Sequence, residues 1–153
     1  MSSTELQEQV LDYLNAEREN LIQRVALHLT ECVPNFYLSQ ATERREDLHR
    51  HNMVLTAQRL HDIIQAGVAL DWALVEAEFG WAGRKLSQFG LRWEQQQVMI
   101  GLYFTEVQKI RVWLPAEQEL LTAIRSRLIE VGQKAFVAGQ EKTTEANIPD
   151  HHY

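Results

Sequence analysis

"GRKLSQFGLRWEQQQ", residues 83–97, decides how the chain folds. A helical apolar period closes within it and another opens, with Gly90 between them. A residue just past a helix end often takes the left-handed conformation, which glycine adopts at no steric cost. With Gly90 in that place, Phe89 is the cap and Leu86 lies three positions further back. Leu91 then folds onto Leu86, the apolar contact that accompanies a Schellman ending. The stretch therefore predicts a tight, buried helix stop followed at once by a new helix.

Working outward, the same period of apolar residues fills both flanks. Asp71 is placed to cap a helix whose inner face is Trp72, Val75, Phe79, Ala82, Leu86 and Phe89. After the corner, Met99, Ile100, Tyr103, Phe104, Val107, Ile110 and Leu114 line a second helix up to Pro115. Proline suits the first turn of a helix, so Pro115 is expected to open the last one. Its stripe is Leu120, Leu121, Ile124, Leu128, Val131 and Phe136. Upstream, Ser2 and Glu5 have capping-box spacing before a face of Leu6, Val10, Tyr13, Leu14, Leu21, Ile22, Val25 and Leu29. The polar "NAEREN" (15–20) is expected to kink or divide that segment, and Pro34 to end it. After "NFYLSQ" a helix is expected from about Thr42 to Ala66, with Leu48, Val54 or Leu55, Leu60, Ile63 and Ile64 inward and Gly67 as its stop. Past Gly139, "QEKTTEANIPDHHY" has no apolar period. The expected organisation is one helical domain over residues 1–140, with a linker or flexible tail at 141–153.

Composition sets the outer limits. The chain has 153 residues, 45% hydrophobic and 24% charged, enough for one domain with a substantial core. A net charge of -6 argues against a general affinity for nucleic acid or anionic membrane, both of which need clustered Lys and Arg. The single cysteine, Cys32, permits no intrachain disulfide, and a reducing cytoplasmic setting is the simpler expectation. Neither a signal peptide nor an apolar run of membrane-spanning length is present, so a soluble protein is expected.

A search for reaction chemistry returns little. Glu46 and His49 have the Glu-x-x-His spacing of helical di-iron sites, but such a site needs a second motif and two more glutamates, and no other histidine follows a Glu by three. "TERREDLHRH" then reads as a solvated, charged face. His49 and His51, two apart, point to different sides of a helix. His61 and His28 read as partly buried, hydrogen-bonded residues, and His151 and His152 as tail residues. Cys32 stands beside Glu31, whose charge disfavours a reactive thiolate. Without a nucleophile elbow or glycine-rich phosphate loop, no enzyme is expected. Trp72, Trp81 and Trp93 gather around the corner in sequence. They read as core, with an apolar pocket near Trp72, Phe89 and Tyr103 as the alternative.

"GRKLSQFGLRWEQQQVMIGLYFTEVQKIRVWL" resembles the central segment of the N-terminal sensor domain of stressosome co-antagonist proteins of the RsbR type. The residues that carry the likeness are Arg84, Gly90, Leu91 and the run Leu102 to Trp113. "YLNAERENLIQRVALHL" and "IRSRLIEVGQKAFVAGQEK" resemble that family's first and last helices, so the likeness covers roughly residues 5 to 142. It implies an all-α, globin-like bundle of five to six helices that binds no haem, forms a homodimer and acts as a sensor through a protein partner or fused output domain. It also invites comparison with haem-binding globin-coupled sensors, in which the ligating histidine stands four residues before the glycine. Here that place is Leu86, which cannot ligate iron, and no histidine lies between His61 and His151. A STAS output domain, which follows the last helix in the family, is not part of these 153 residues.

The expected function is thus a dimeric, non-haem regulatory sensor or interaction domain that relays a signal through its last helix. A haem- or other apolar-cofactor-binding sensor is the alternative. Leu120, Leu121, Ile124, Leu128 and Val131 are the expected dimer contacts, with closure of the monomer core as the other role open to them. No cofactor and no metal site are expected.

Overall fold

Helices carry almost all of the residues described by a computed structural model, which are 2–32 and 42–146, with side chains described at 2–32 and 47–142. The order is α1 (Ser3–Ala16), α2 (Arg18–Cys32), α3 (Thr42–Val68), α4 (Trp72–Lys85), a 3-10 turn (Ser87–Phe89), α5 (Trp93–Lys109) and α6 (Pro115–Ala146). Among the described residues there is no strand, and the all-α bundle of five to six helices is what the chain forms.

Local chemistry explains most boundaries. Ser2 Oγ accepts from the Glu5 N–H at 3.1 Å and starts α1. At Glu17 the chain bends without losing its ladder, since Glu17 N–H reaches Tyr13 O and Leu21 N–H reaches Glu17 O. The polar run thus divides the first segment into two helices. Pro34 and the 35–40 connection lie outside the described residues. Asp71 Oδ1 caps α4 through the Leu74 N–H, and Pro115 is the first residue of α6.

The Gly90 corner has the hydrogen bonds expected of it. Leu91 N–H bonds to Leu86 O at 3.3 Å, Gly90 N–H bonds to Ser87 O at 3.1 Å, and Gly90 has φ +88°. That is the Schellman pair, with Leu91 buried. The helical turn it closes is 3-10 in form, because α4 itself stops at Lys85. Phe89 is exposed and not part of the inner face.

Two glycines do something other than stop a helix. Gly67 lies inside α3, where a Cβ would meet Leu128, Ile124 and Trp72. The left-handed residue that ends α3 is Leu70 (φ 63°), with Leu70 N–H on Gly67 O and Asp71 N–H on Ala66 O. Gly139 also lies inside its helix, α6, which runs on to Ala146, so residues 141–146 are helix where a linker or flexible tail was expected. Its missing side chain lets α6 lie on α4: a Cβ at Gly139 would overlap Gly80 O, and one at Gly83 would overlap Phe136 O. Two helices therefore touch backbone to backbone.

The core collects Val10, Leu14, Leu21, Ile22, Val25 and Leu29 from α1 and α2 against Leu60, Ile64, Phe79, Ile100, Tyr103, Val107, Leu128 and Phe136. Each large apolar side chain taken from water contributes about 1.5–3 kcal/mol. Phe79 meets Trp93 edge to face with ring centroids 5.7 Å apart, and Phe136 lies tilted against Trp93 at 6.0 Å. Leu48 and Leu55 point outward, while Met53, Ala57 and His61 share the inner face of α3 with Leu60, Ile63 and Ile64. Among the described residues no helix is long and apolar enough to cross a membrane.

Candidate functional site

A narrow crevice of about 40 Å³ opens where α3, α4 and α5 meet. Leu60 and Ile63 of α3, Phe79 and Ala82 of α4, and Leu86 just beyond α4 make its apolar walls. The volume accommodates roughly three water-sized groups. Gln96 of α5 brings the polar group. It occupies the inward stripe with Trp93, Ile100 and Tyr103, at spacings of three, four and three. The residue is 7% exposed.

The rim is closed by an ion pair. Arg59 Nε donates to Glu78 Oε2 at 2.8 Å, a second guanidinium nitrogen reaches Glu78 O at 3.4 Å, and the guanidinium lies 3.9 Å above the centre of the Trp81 ring. Arg59 and Glu78 are each partly exposed, so the pair is a soft closure and not a rigid strut.

Three further polar groupings hold helices together. His61 Nδ1 and Tyr103 Oη are 2.8 Å apart, both wholly buried, and join α3 to α5. Burial holds His61 below its ordinary pKa, with Arg18 acting in the same direction and Asp62 and Glu19 opposing. Burial also pushes the Tyr103 hydroxyl well up, so it remains protonated. Glu106 of α5 is buried and receives Arg24 and Lys109 at 2.8 Å, with His28 at 3.4 Å. Burial alone would raise the Glu106 carboxyl, but hydrogen bonds and charges from Lys109 and Arg24 reverse this and hold it below the usual range. Glu117, also buried, accepts from Gln9 Nε2 at 2.7 Å and from the Leu114 N–H at 2.8 Å. Arg111 approaches it at 3.9 Å while stacking on Tyr13.

The residues singled out from the sequence go to separate places. Tyr103 is buried against His61, Phe89 is exposed on the 3-10 turn, and Trp72 is half-buried with Arg127 over its ring at 4.8 Å. The crevice is lined by none of the three. Trp93 is core, whereas Trp81 lies outside beneath Arg59. Leu121, Ile124 and Leu128 are buried and close the core of the single chain, which leaves them almost no surface for a partner; Leu120 and Val131 are partly buried against the same core. His49 is buried, not solvated, with Nε2 3.3 Å from Thr30 O. His51 and Cys32 are exposed, and His151 and His152 lie outside the described residues. Among the described residues no three His, Cys, Asp or Glu side chains are placed to hold a metal ion.

Sequence reasoning missed the crevice. The available signal was Gln96, a polar residue on an otherwise apolar helical stripe, with Arg59 and Glu78 as its charged neighbours on the adjoining helices. Compared with protein-family models, curated proteins and solved structures, the chain gives no significant match.

Proposed function

We propose that the chain is a regulatory sensor module of non-haem, globin-like type, which works as a homodimer and passes a change in its core to a partner or output module through α6. The arrangement of α4 supports this reading. Phe79 and Ala82 face the crevice, while Gly80 and Gly83 on the same helix rest on the α6 backbone at Gly139 and Phe136. Movement of the crevice wall therefore has a stiff, sterically filled route to a helix of about 48 Å. Such relay requires an element with two arrangements that the signal favours unequally, and α4 on α6 is the candidate.

The haem-sensor alternative fares worse on geometry. Leu86 stands where the resemblance puts an iron ligand, and about 40 Å³ is far below the ~300–1,000 Å³ of ordinary ligand pockets.

Two measurements test the proposal. Native mass spectrometry is expected to give twice the chain mass. Substitution of the exposed aliphatics Val98 on α5 and Val137 on α6 by Glu is expected to split the dimer in at least one case, with helicity retained. A monomer at every concentration would remove the dimer from the reading. Filling the crevice with Ala82→Leu is expected to alter hydrogen exchange in α6 around residues 132–140. Changes that stop within α3, α4 and α5 would defeat the relay.

A further inference from the structure

Two helices hold one face of α5 by bonds of different character. From α3, His61 meets Tyr103 at 2.8 Å; from α2, Arg24 meets Glu106, one turn further along α5, also at 2.8 Å. We propose that the proton is the signal this module reads: mild acid charges His61 and parts α5 from α3, while Glu106 keeps α5 on α2.

The surroundings of the His61 ring carry the argument. It is 0% exposed, its Nδ1 faces Tyr103 Oη, and its Nε2 has no hydrogen-bond partner among the described residues. A neutral imidazole has one N–H and one bare nitrogen, whereas an imidazolium must donate from both. Tyr103 Oη can accept one of those bonds, and the second finds no described acceptor in the core. The charges nearby do not make up for this. Burial disfavours the charged ring most, Arg18 of α2 acts with it, and Asp62 of α3 and Glu19 of α2 oppose without prevailing. Tyr103 of α5 stays protonated and brings no charge. The closed arrangement therefore resists a proton that the ring, once opened to water, accepts near its ordinary 6.5. The tie is at full strength above about pH 6.5 and weakens as pH falls from there. Charging confined to the open form multiplies the open population by up to about tenfold between pH 7.5 and 5.5.

The other hold stays unchanged over that range. Glu106 is kept below the usual carboxylate range and remains ionised between Arg24 and Lys109, both at 2.8 Å. His28, at 3.4 Å, adds any charge it gains to a carboxylate that two cations already neutralise. The crevice lies on the side that loosens, because Leu60 and Ile63 stand beside His61 in α3 and Gln96 belongs to α5.

Opening needs only His61; calling the proton a signal rests on the sensor reading above. The experiment separates the two. Ala57→Cys, in a Cys32→Ser background, puts a thiol at a fully buried place one turn before His61. Its rate of modification by a disulfide reagent, referenced to free glutathione at each pH, reports opening of α3. The rate is expected to rise severalfold, and up to about tenfold, from pH 7.5 to 5.5. Adding His61→Gln should abolish the rise, while His28→Gln and His49→Gln should leave it. If a substitution prevents folding, Met53→Cys replaces the probe and His61→Asn the neutral ring substitute. A rise that survives loss of His61 would overturn the proposal. So would labelling that merely matches global unfolding, measured by urea on the same variant at both pH values. Opening at Ala57 with unaltered hydrogen exchange at residues 132–140 of α6 would support the proton-driven release and defeat the relay.

Discussion

Gly139→Ala should be harmful even though alanine is the better helix former. In an open helix the change would stabilise the protein by about 1 kcal/mol. At Gly139 the new methyl would overlap Gly80 O and lie 3.0 Å from Arg84 N and 3.1 Å from Gly80 C. Favourable separations between such atoms are about 3.5–4.0 Å, so α4 and α6 must part by at least roughly 0.5 Å, and by more to clear the oxygen. The obstacle is backbone on both sides, so no rotamer change relieves it. Overpacking of this kind costs about 3 kcal/mol, leaving a net loss near 2 kcal/mol after the propensity gain, or roughly 30-fold in the folding equilibrium. For a chain of this length that is a fall in Tm of about 4–8 °C. Urea denaturation monitored by far-UV circular dichroism measures it, with an unchanged slope confirming that only stability has moved. Gly101→Ala is the matched control, because its Cβ would meet only the flexible Arg125 guanidinium at 3.4 Å. It should be neutral or stabilising. If Gly139→Ala were as stable as Gly101→Ala, the close backbone contact of α4 and α6 would be refuted.

Leu70→Gly is expected to stabilise the chain by about 1 kcal/mol, because Leu70 holds a left-handed φ of 63° on the surface, where a side chain is strained; a thermal melt reads it. Glu106→Gln removes the charge that Arg24, His28 and Lys109 surround, and should cost about 1–2 kcal/mol, moderated because those cations are partly exposed; urea midpoints at neutral pH decide it. The buried His61 resists the proton that the unfolded chain accepts, so its contribution is full above about pH 6.5 and is lost as pH falls from there towards its lowered folded value. Urea midpoints taken between pH 7 and pH 5 should fall for the wild type and fall less for His61→Gln; equal slopes would put the titrating group elsewhere. Glu106, held below its ordinary value, adds acid sensitivity only below about pH 4.5, a separate window.

The corner at Gly90 was legible because its hydrogen bonds are local: Leu86, Gly90 and Leu91 are close in sequence, and a left-handed glycine has few other uses there. The same reasoning misread Gly67 and gave no sign of what Gly139 does, since a glycine that ends a helix and one that admits another helix look alike in one dimension. Gly139 answers to Gly80 and Gly67 to Leu128, each about sixty residues away, and no local rule carries that information. The dimer stripe on α6 met the same limit. Apolar spacing marks Leu121, Ile124 and Leu128 as facing something, without distinguishing the rest of the chain from a second copy. His49 looked solvated because its neighbours in sequence are charged, yet it turns towards Thr30 on α2. Gln96 was visible as an exception on its stripe, but its meaning needed Arg59, Glu78 and the apolar walls assembled around it.

The bond between Gln9 and Glu117 crosses 108 positions, and Tyr13 beneath Arg111 repeats the crossing. In effect α1 works as a clasp on the joint where α5 gives way to α6. Without it, Glu117 would lose a partner while still buried, and Arg111 would lose the ring it lies on. A growing chain can close the clasp only once Glu117 has emerged, so α1 waits while about a hundred further residues are added before the partner that secures it is present. Deleting α1 would therefore be felt first at the head of α6, about a hundred positions along the chain from the deletion.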